Sequence, residues 1–288
     1  MKILIIFLAG LGNAILFEPC LRAISNFFPD CKIDLYIKQK VVEALYKNSG
    51  LVNNFIYYDK VPFQSYDVVI STSAKLDWKE KLFLFLVRSK KVITQEKIGY
   101  SEDIHEIDCR LRLAHALGAD VQDKYPKIFI PENTKNLLPN TSRFTVGFHP
   151  GCSEALKFKR WPAQRFTKVA DSLDARIVFF GGPDEIKLSE KVIRMMKNKA
   201  INLTGKTNIQ ETALAVGNCD LFITNDSGLM HVASAMQVPL IAIFGPTSPV
   251  KNAPLSDHVI LQKGKDVKNI STKNVINAAK KLCVKKYF

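Results

Sequence analysis

At 288 residues the chain exceeds what one hydrophobic core comfortably organises, so two domains of roughly 140 residues are expected. A net charge of +14 without a helix-turn-helix, zinc-finger or RNA-binding aromatic motif sets nucleic acid aside, and no run of about 20 apolar residues is present to span a bilayer. Six scattered cysteines, with no Cys-x-x-Cys and no paired histidines, indicate neither a disulfide framework nor a zinc site and suit a reducing cytoplasm.

The charge is uneven. Residues 1–142 carry 19 Lys and Arg against 16 Asp and Glu, whereas 143–288 carry 22 against 11. A basic second half attracts phosphorylated substrates or an anionic membrane. There is no Asp-x-Asp, so a metal-bridged diphosphate is not expected and the leaving-group charge falls to the protein's own groups.

In chain order, residues 2–8 form a β-branched apolar run suited to a strand buried on both faces, not a signal peptide. Gly10 and Gly12 then open a helix to about residue 28, with Pro19 as a kink or a late start. A dinucleotide fingerprint needs glycine at position 15, which is Ile15, so a nicotinamide or flavin enzyme is not indicated. Further strands fall at 32–37, 55–58 and 68–71, and their alternation with helical segments implies a mostly parallel sheet. Residues 75–91, KLDWKEKLFLFLVRSKK, form a basic amphipathic helix. Packing on the sheet explains its pattern first, and an anionic membrane or a lipid-linked acceptor is the other use. A helix over 102–117 ends at Gly118, with Asp103 and His105 at its start, and 131–143 reads as the linker between domains.

The second half restarts with a strand at 144–148 followed by His149-Pro150-Gly151-Cys152-Ser153. Here Gly151 permits close backbone approach and Ser153 offers a hydroxyl to phosphate. Lys159 precedes Trp161-Pro162, which opens the next helix, and a strand at 176–180 ends in Gly181-Gly182-Pro183 before a helix start at Asp184 or Glu185. Residues 202–207 make another strand end, with Lys206 or Thr207 near a base or ribose. The central stretch is 219–249, where a strand breaks at Asn225-Asp226-Ser227-Gly228 and a second strand ends in Gly245-Pro246-Thr247. Asp226 or Ser227 suits an N-cap, and the helix start at Gly228 offers free N–H groups to an anion, with His231 in its first turn. A last helix at 269–283, capped by Ser271 or Thr272, leads to the basic and aromatic end Lys285-Lys286-Tyr287-Phe288, a solvated tail or a contact for anionic lipid.

Several of these segments, in order, resemble motifs of the bacterial ADP-heptose:lipopolysaccharide heptosyltransferases: Gly10-Leu11-Gly12-Asn13, residues 148–153, Lys159-Arg160-Trp161-Pro162, residues 179–185, and Asp226-Ser227-Gly228-x-x-His231 with Gly245-Pro246-Thr247. The resemblance implies a GT-B architecture: an acceptor-binding Rossmann-like domain over 1–142, a nucleotide-sugar-binding one over 143–288, a central cleft, and a last helix crossing back to the first lobe. It also implies metal-independent, inverting transfer from ADP-heptose to an anionic glycolipid or glycan, without a cofactor, in the cytoplasm or peripherally on the inner membrane. Lys159 corresponds to the family's diphosphate lysine and Glu185 to its ribose-contacting carboxylate. The family's Asp base is here Asn13, an amide that orients a hydroxyl but does not take its proton near neutral pH. Glu18, five residues on, is the nearest carboxylate, and an exposed helix surface is its alternative place. Another nucleotide sugar, or a catalytically silent protein that kept the donor site, are the competing readings.

Overall fold

The computed structural model describes residues 1–60, 62 and 64–287, with side chains through Leu282. It divides into two compact units, Met1–Phe129 and Ile130–Phe288. The first contains β1 (Lys2–Phe7), α1 (Leu11–Phe27), β2 (Lys32–Ile37), α2 (Lys40–Tyr46), β3 (Asn54–Tyr57), β4 (Tyr66–Ser71), α3 (Trp78–Leu86), β5 (Ser89–Thr94), α4 (Gln95–Ile98) and α5 (Glu106–His115). Its strands form one parallel sheet in the order β3-β2-β1-β4-β5. Central β1 is buried from Ile3 to Phe7, which is why it reads as a continuous apolar run.

Helix α1 continues unbroken through Pro19, and Phe17 stacks on Phe7 with ring centroids 5.2 Å apart. Burying a side chain of that size contributes about 2–3 kcal/mol, enough to offset the hydrogen bond Pro19 cannot donate. The helix expected over 75–91 ends at Leu86. Residues from Ser89 on pair with β4 as an edge strand, where Lys90 and Lys91 are tolerated because one side of the strand faces solvent. Helix α5 is shorter than expected, with His105 at its N-cap, and Gly118 beyond its end has a φ of +83°, the left-handed stop glycine supplies.

The second unit contains β6 (Thr145–His149), a 3-10 turn (Glu154–Lys159), α6 (Ala163–Asp171), β7 (Arg176–Phe179), a 3-10 turn (Pro183–Glu185), α7 (Ile186–Arg194), β8 (Ala200–Asn202), α8 (Ile209–Gly217), β9 (Leu221–Asn225), α9 (Gly228–Ala235), β10 (Leu240–Phe244), α10 (Pro249–Asn252), β11 (His258–Gln262), a 3-10 turn (Val267–Asn269) and α11 (Thr272–Tyr287). All six strands are parallel, in the order β11-β10-β9-β6-β7-β8. The strand order reverses direction between β6 and β9, and in such sheets ligands bind at the carboxyl ends of the strands flanking that point.

The expected boundary at 142/143 falls thirteen residues late, since the contacts divide the chain after Phe129. The supposed linker is tied to the second unit: Leu138 is fully buried, its carbonyl accepts from Asn218 Nδ2 at 2.8 Å, and the Pro139 carbonyl accepts from Arg176 at 2.8 Å. Helix α11 starts where Ser271 Oγ accepts from the Asn274 N–H at 3.2 Å. Its Val275, Ala278, Ala279 and Leu282 join the core of the second unit, beside Phe166 and Val169 of α6. The side chains of Lys285, Lys286, Tyr287 and Phe288 lie outside the described residues.

Candidate active site

Four loops at the carboxyl edge of the second sheet bring the charged groups together. At the end of β9, Asn225 is fully buried and works as a clamp: its Nδ2 donates to the Pro150 and Gly151 carbonyls at 2.8 and 3.0 Å, and its Oδ1 accepts the Trp161 N–H at 3.0 Å. Trp161, itself buried, donates its indole N–H to the Ile270 carbonyl at 2.8 Å. The turn carrying Lys159 is thereby held against the β9 loop. Lys159 Nζ lies 2.7 Å from Asp226 Oδ2, and Thr247 Oγ1 donates to the same oxygen at 2.6 Å. Both members of the ion pair are buried, so removing either leaves the other without compensation.

A second polar chain runs beside the first. His149, the last residue of β6, lies 2.9 Å through Nδ1 from Ser227 Oγ and 3.0 Å through Nε2 from Glu185 Oε2. Glu185 also accepts the Gly182 N–H at 2.8 Å. Burial pushes the Glu185 carboxyl up, but the His149 charge and hydrogen bond, the Gly182 N–H and Arg160 outweigh it and hold the group below the usual carboxylate range. An ionised carboxylate only accepts, so His149 Nε2 donates. A Cβ at Gly151 would stand 1.8 Å from Glu185 Oε1, so any side chain there displaces that carboxylate.

The sequence offered Asp226 or Ser227 as the cap of α9. Ser227 takes the N-cap position, yet neither side chain caps: Ser227 is turned to His149, and Asp226 to Lys159 and Thr247. Gly228 begins the helix, and His231 is buried in its first turn. Lys159, Gly151, Gly182, Glu185, Asp226, Ser227, Gly228 and His231 therefore belong to one neighbourhood. Ser153 is exposed at the start of the 3-10 turn, and Thr207 bonds the Thr212 hydroxyl at 2.7 Å. Arg160 points to the Cys152 carbonyl and to Glu154, at 2.8 and 3.0 Å. Sequence reasoning gave no role to His149 or Asn225; a histidine and an amide at the ends of adjacent strands flanking the switch point were the available signal.

In the first unit the corresponding edge is different. Asn13 is exposed in the first turn of α1. Glu18 is neither on the surface nor free: it is buried, accepts from Arg22 Nε at 2.8 Å and Nη2 at 3.4 Å, and accepts the Lys127 N–H at 2.9 Å. Burial pushes its carboxyl up, against the lowering effect of Arg22 and Lys127. Beyond β4, the Thr72 carbonyl accepts from Arg110, which pairs with buried Glu106. Among the described residues no group of three His, Cys, Asp or Glu side chains could hold a metal ion, and no helix is long and apolar enough to cross a membrane.

Residues 79–281 match glycosyltransferase family 9, the heptosyltransferases. The chain belongs to glycosyltransferase family 9. Within it, lipooligosaccharide heptosyltransferase 2 of Campylobacter jejuni is 28% identical over 269 residues, covering 88% of this chain and 84% of that protein. Lipooligosaccharide heptosyltransferase 2 of Haemophilus influenzae is 40% identical over 119 residues, 39% of this chain and 34% of the relative's length. A family 9 glycosyltransferase structure from Veillonella parvula superposes with a TM-score of 0.80 at 25% identity, covering 99% of this chain and 97% of that one. The structure of Escherichia coli ADP-heptose lps heptosyltransferase II gives 0.78 at 21% identity, over the whole of both chains. This family 9 member is thus a glycosyltransferase with a GT-B-like α/β fold of two parallel sheets, as the motifs imply.

Proposed function

We propose that this family 9 glycosyltransferase moves a heptose from ADP-heptose to an anionic core-type glycolipid at the cytoplasmic face of a membrane, with inversion and without a metal ion. The observation that carries the reading is the convergence of Lys159, Ser227, Thr247, Glu185 and the start of α9 at one sheet edge. The acceptor hydroxyl attacks the anomeric carbon and gives its proton to a base as the bond to the diphosphate breaks, and the charge growing on the diphosphate meets the Lys159 ammonium and the N–H groups at the start of α9. Asp226 holds Lys159 in place, and Glu185 offers its second oxygen to a ribose hydroxyl. Calorimetric titration with ADP, GDP, UDP and CDP, with and without magnesium, tests the donor assignment. Metal-independent preference for ADP that falls in Lys159→Ala supports it, and preference for another nucleotide overturns the heptose assignment.

A second reading follows from the first unit. With Asn13 in place of the family's carboxylate and Glu18 committed to Arg22 and the Lys127 N–H, α1 supplies no obvious proton acceptor, which favours a binding protein that kept the donor site. A general base contributes about 10²–10⁴-fold. Turnover gained only in Asn13→Asp supports the silent reading, and turnover in the natural chain excludes it.

A further inference from the structure

Helix α3 is fixed to its sheet from one side only. Asp77 caps it by accepting the Glu80 N–H at 2.8 Å, the Glu80 carboxylate accepts from Ser71 and Ser73 hydroxyls at 2.9 and 2.7 Å, and Phe83 packs against Tyr36 with centroids 4.4 Å apart. These contacts leave a second apolar stripe outside: Trp78 is 70% exposed, Leu82 49%, Phe85 85% and Leu86 53%. At 3.6 residues per turn those four positions share about 100° of the helix surface, with Lys79 on one flank and Lys81 on the other. Packing on the sheet, the first explanation of this segment, accounts for Phe83 and leaves the larger stripe unexplained.

Charge identifies what covers it. Residues 75–91 hold six Lys and Arg against Asp77 and Glu80, a net +4 within a half whose total is +3, so the remainder of that half is slightly acidic. Lys79, Lys81 and, just before and after the helix, Lys75 and Arg88 are exposed, while Lys90 is paired with Asp67 at 2.7 Å and Lys91 Nζ donates to the Ala116 carbonyl at 3.4 Å. An apolar stripe with a tryptophan at one end, flanked by cations, matches a bilayer interface, where the rings enter the headgroup–acyl boundary and the cations meet phosphates. We propose that α3 is a docking face for an anionic phospholipid surface. The inference deepens the glycolipid-acceptor reading, but it rests on α3 alone, and its vesicle measurement contains neither donor nor acceptor.

The chain has two tryptophans, and Trp161 is buried, so Trp78 reports on this surface. The full chain is mixed with vesicles of phosphatidylcholine alone or of equal parts phosphatidylcholine and phosphatidylglycerol, and tryptophan emission and co-sedimentation are followed. The expected result is a blue shift and partitioning that need phosphatidylglycerol and weaken with salt. Phe85→Ser with Leu86→Ser lowers partitioning at least tenfold. Lys79→Gln with Lys81→Gln lowers it by roughly fivefold per lysine. Unchanged melting temperature and ADP affinity in both variants separate lost docking from lost folding and from failure of the donor assignment. No partitioning, partitioning that these variants leave unaltered, or sedimentation showing a dimer that Phe85→Ser dissolves would each overturn the proposal, the last by showing that a second copy covers the stripe.

Discussion

The two sheets present the same kind of carboxyl edge and furnish it in opposite ways. In the second unit every charged group named at the edge has a close partner: Lys159 with Asp226 and Thr247, Glu185 with His149 and Gly182, His149 with Ser227. In the first unit the side chain nearest the expected chemistry, Asn13, is exposed and uncharged, and the nearby carboxylate of Glu18 is occupied by Arg22 and the Lys127 N–H. On the proposed reading the second edge receives a diphosphate, which demands dense, pre-placed charge, because aligned dipoles and cations act on it only if they need not reorganise. On the same reading the first edge receives a hydroxyl, which needs little more than orientation and one proton acceptor, and the charged groups fixed beyond β4, Arg110 with Glu106 and Glu80 with Ser71 and Ser73, are tied to the fold itself.

The comparison predicts where damage is greatest. Asp226→Ala should destabilise the chain by about 3–5 kcal/mol in urea unfolding, since it strands the Lys159 ammonium in a buried place. Adding Lys159→Met should recover much of that loss, and a double variant as unstable as the single one would show that the pair is not the cause. Gly151→Ala should cost about 1–3 kcal/mol and weaken ADP binding, because the new Cβ displaces the Glu185 carboxylate from His149. Normal binding in that variant would remove Glu185 from the donor site.

The smallest effect contrasts the two buried carboxylates. Glu185 has a folded-state pKa below its ordinary value, so its stabilisation is present above that value and is lost as the pH falls through the lower folded one. Glu18 has a raised folded-state pKa, so its contribution is greatest below the ordinary value and declines as the pH rises through the folded one. In unfolding measured across the acid range, the deficit of Glu185→Gln should therefore grow with pH while that of Glu18→Gln shrinks. Slopes of the same sign would refute the assigned environments.

The sequence exposes what local pattern controls. Buried strands such as β1 and β9 declare themselves as apolar runs, and glycines beside them mark the loops that approach a ligand. The edge strand β5 does not, because Lys90 and Lys91 leave only Val92 and Ile93 of its six residues apolar. Burial of Glu18 depends on Lys127, 109 positions away, and no local periodicity carries that information. Ser227 illustrates the same limit from the other side. It has the composition and position of a helix cap, and tertiary contact with His149 redirects its hydroxyl. The apolar face of α3 was legible as a pattern, but only the packing of Phe83 tells which of its two stripes is spoken for.

The placement of β9 beside β6 also governs when the charged cluster of the second unit can exist during synthesis. As the chain leaves the ribosome, β6 and β7 can pair early, Val146 with Ile177, whereas the other side of β6 waits for Leu221. Until Asn225 has been translated, nothing supplies the amide that joins the Pro150 and Gly151 carbonyls to the Trp161 N–H. A nascent chain stopped before β9 therefore carries a strand with an open edge and a lysine with no aspartate, so the charged cluster itself reports that translation of the second unit has passed its central strand.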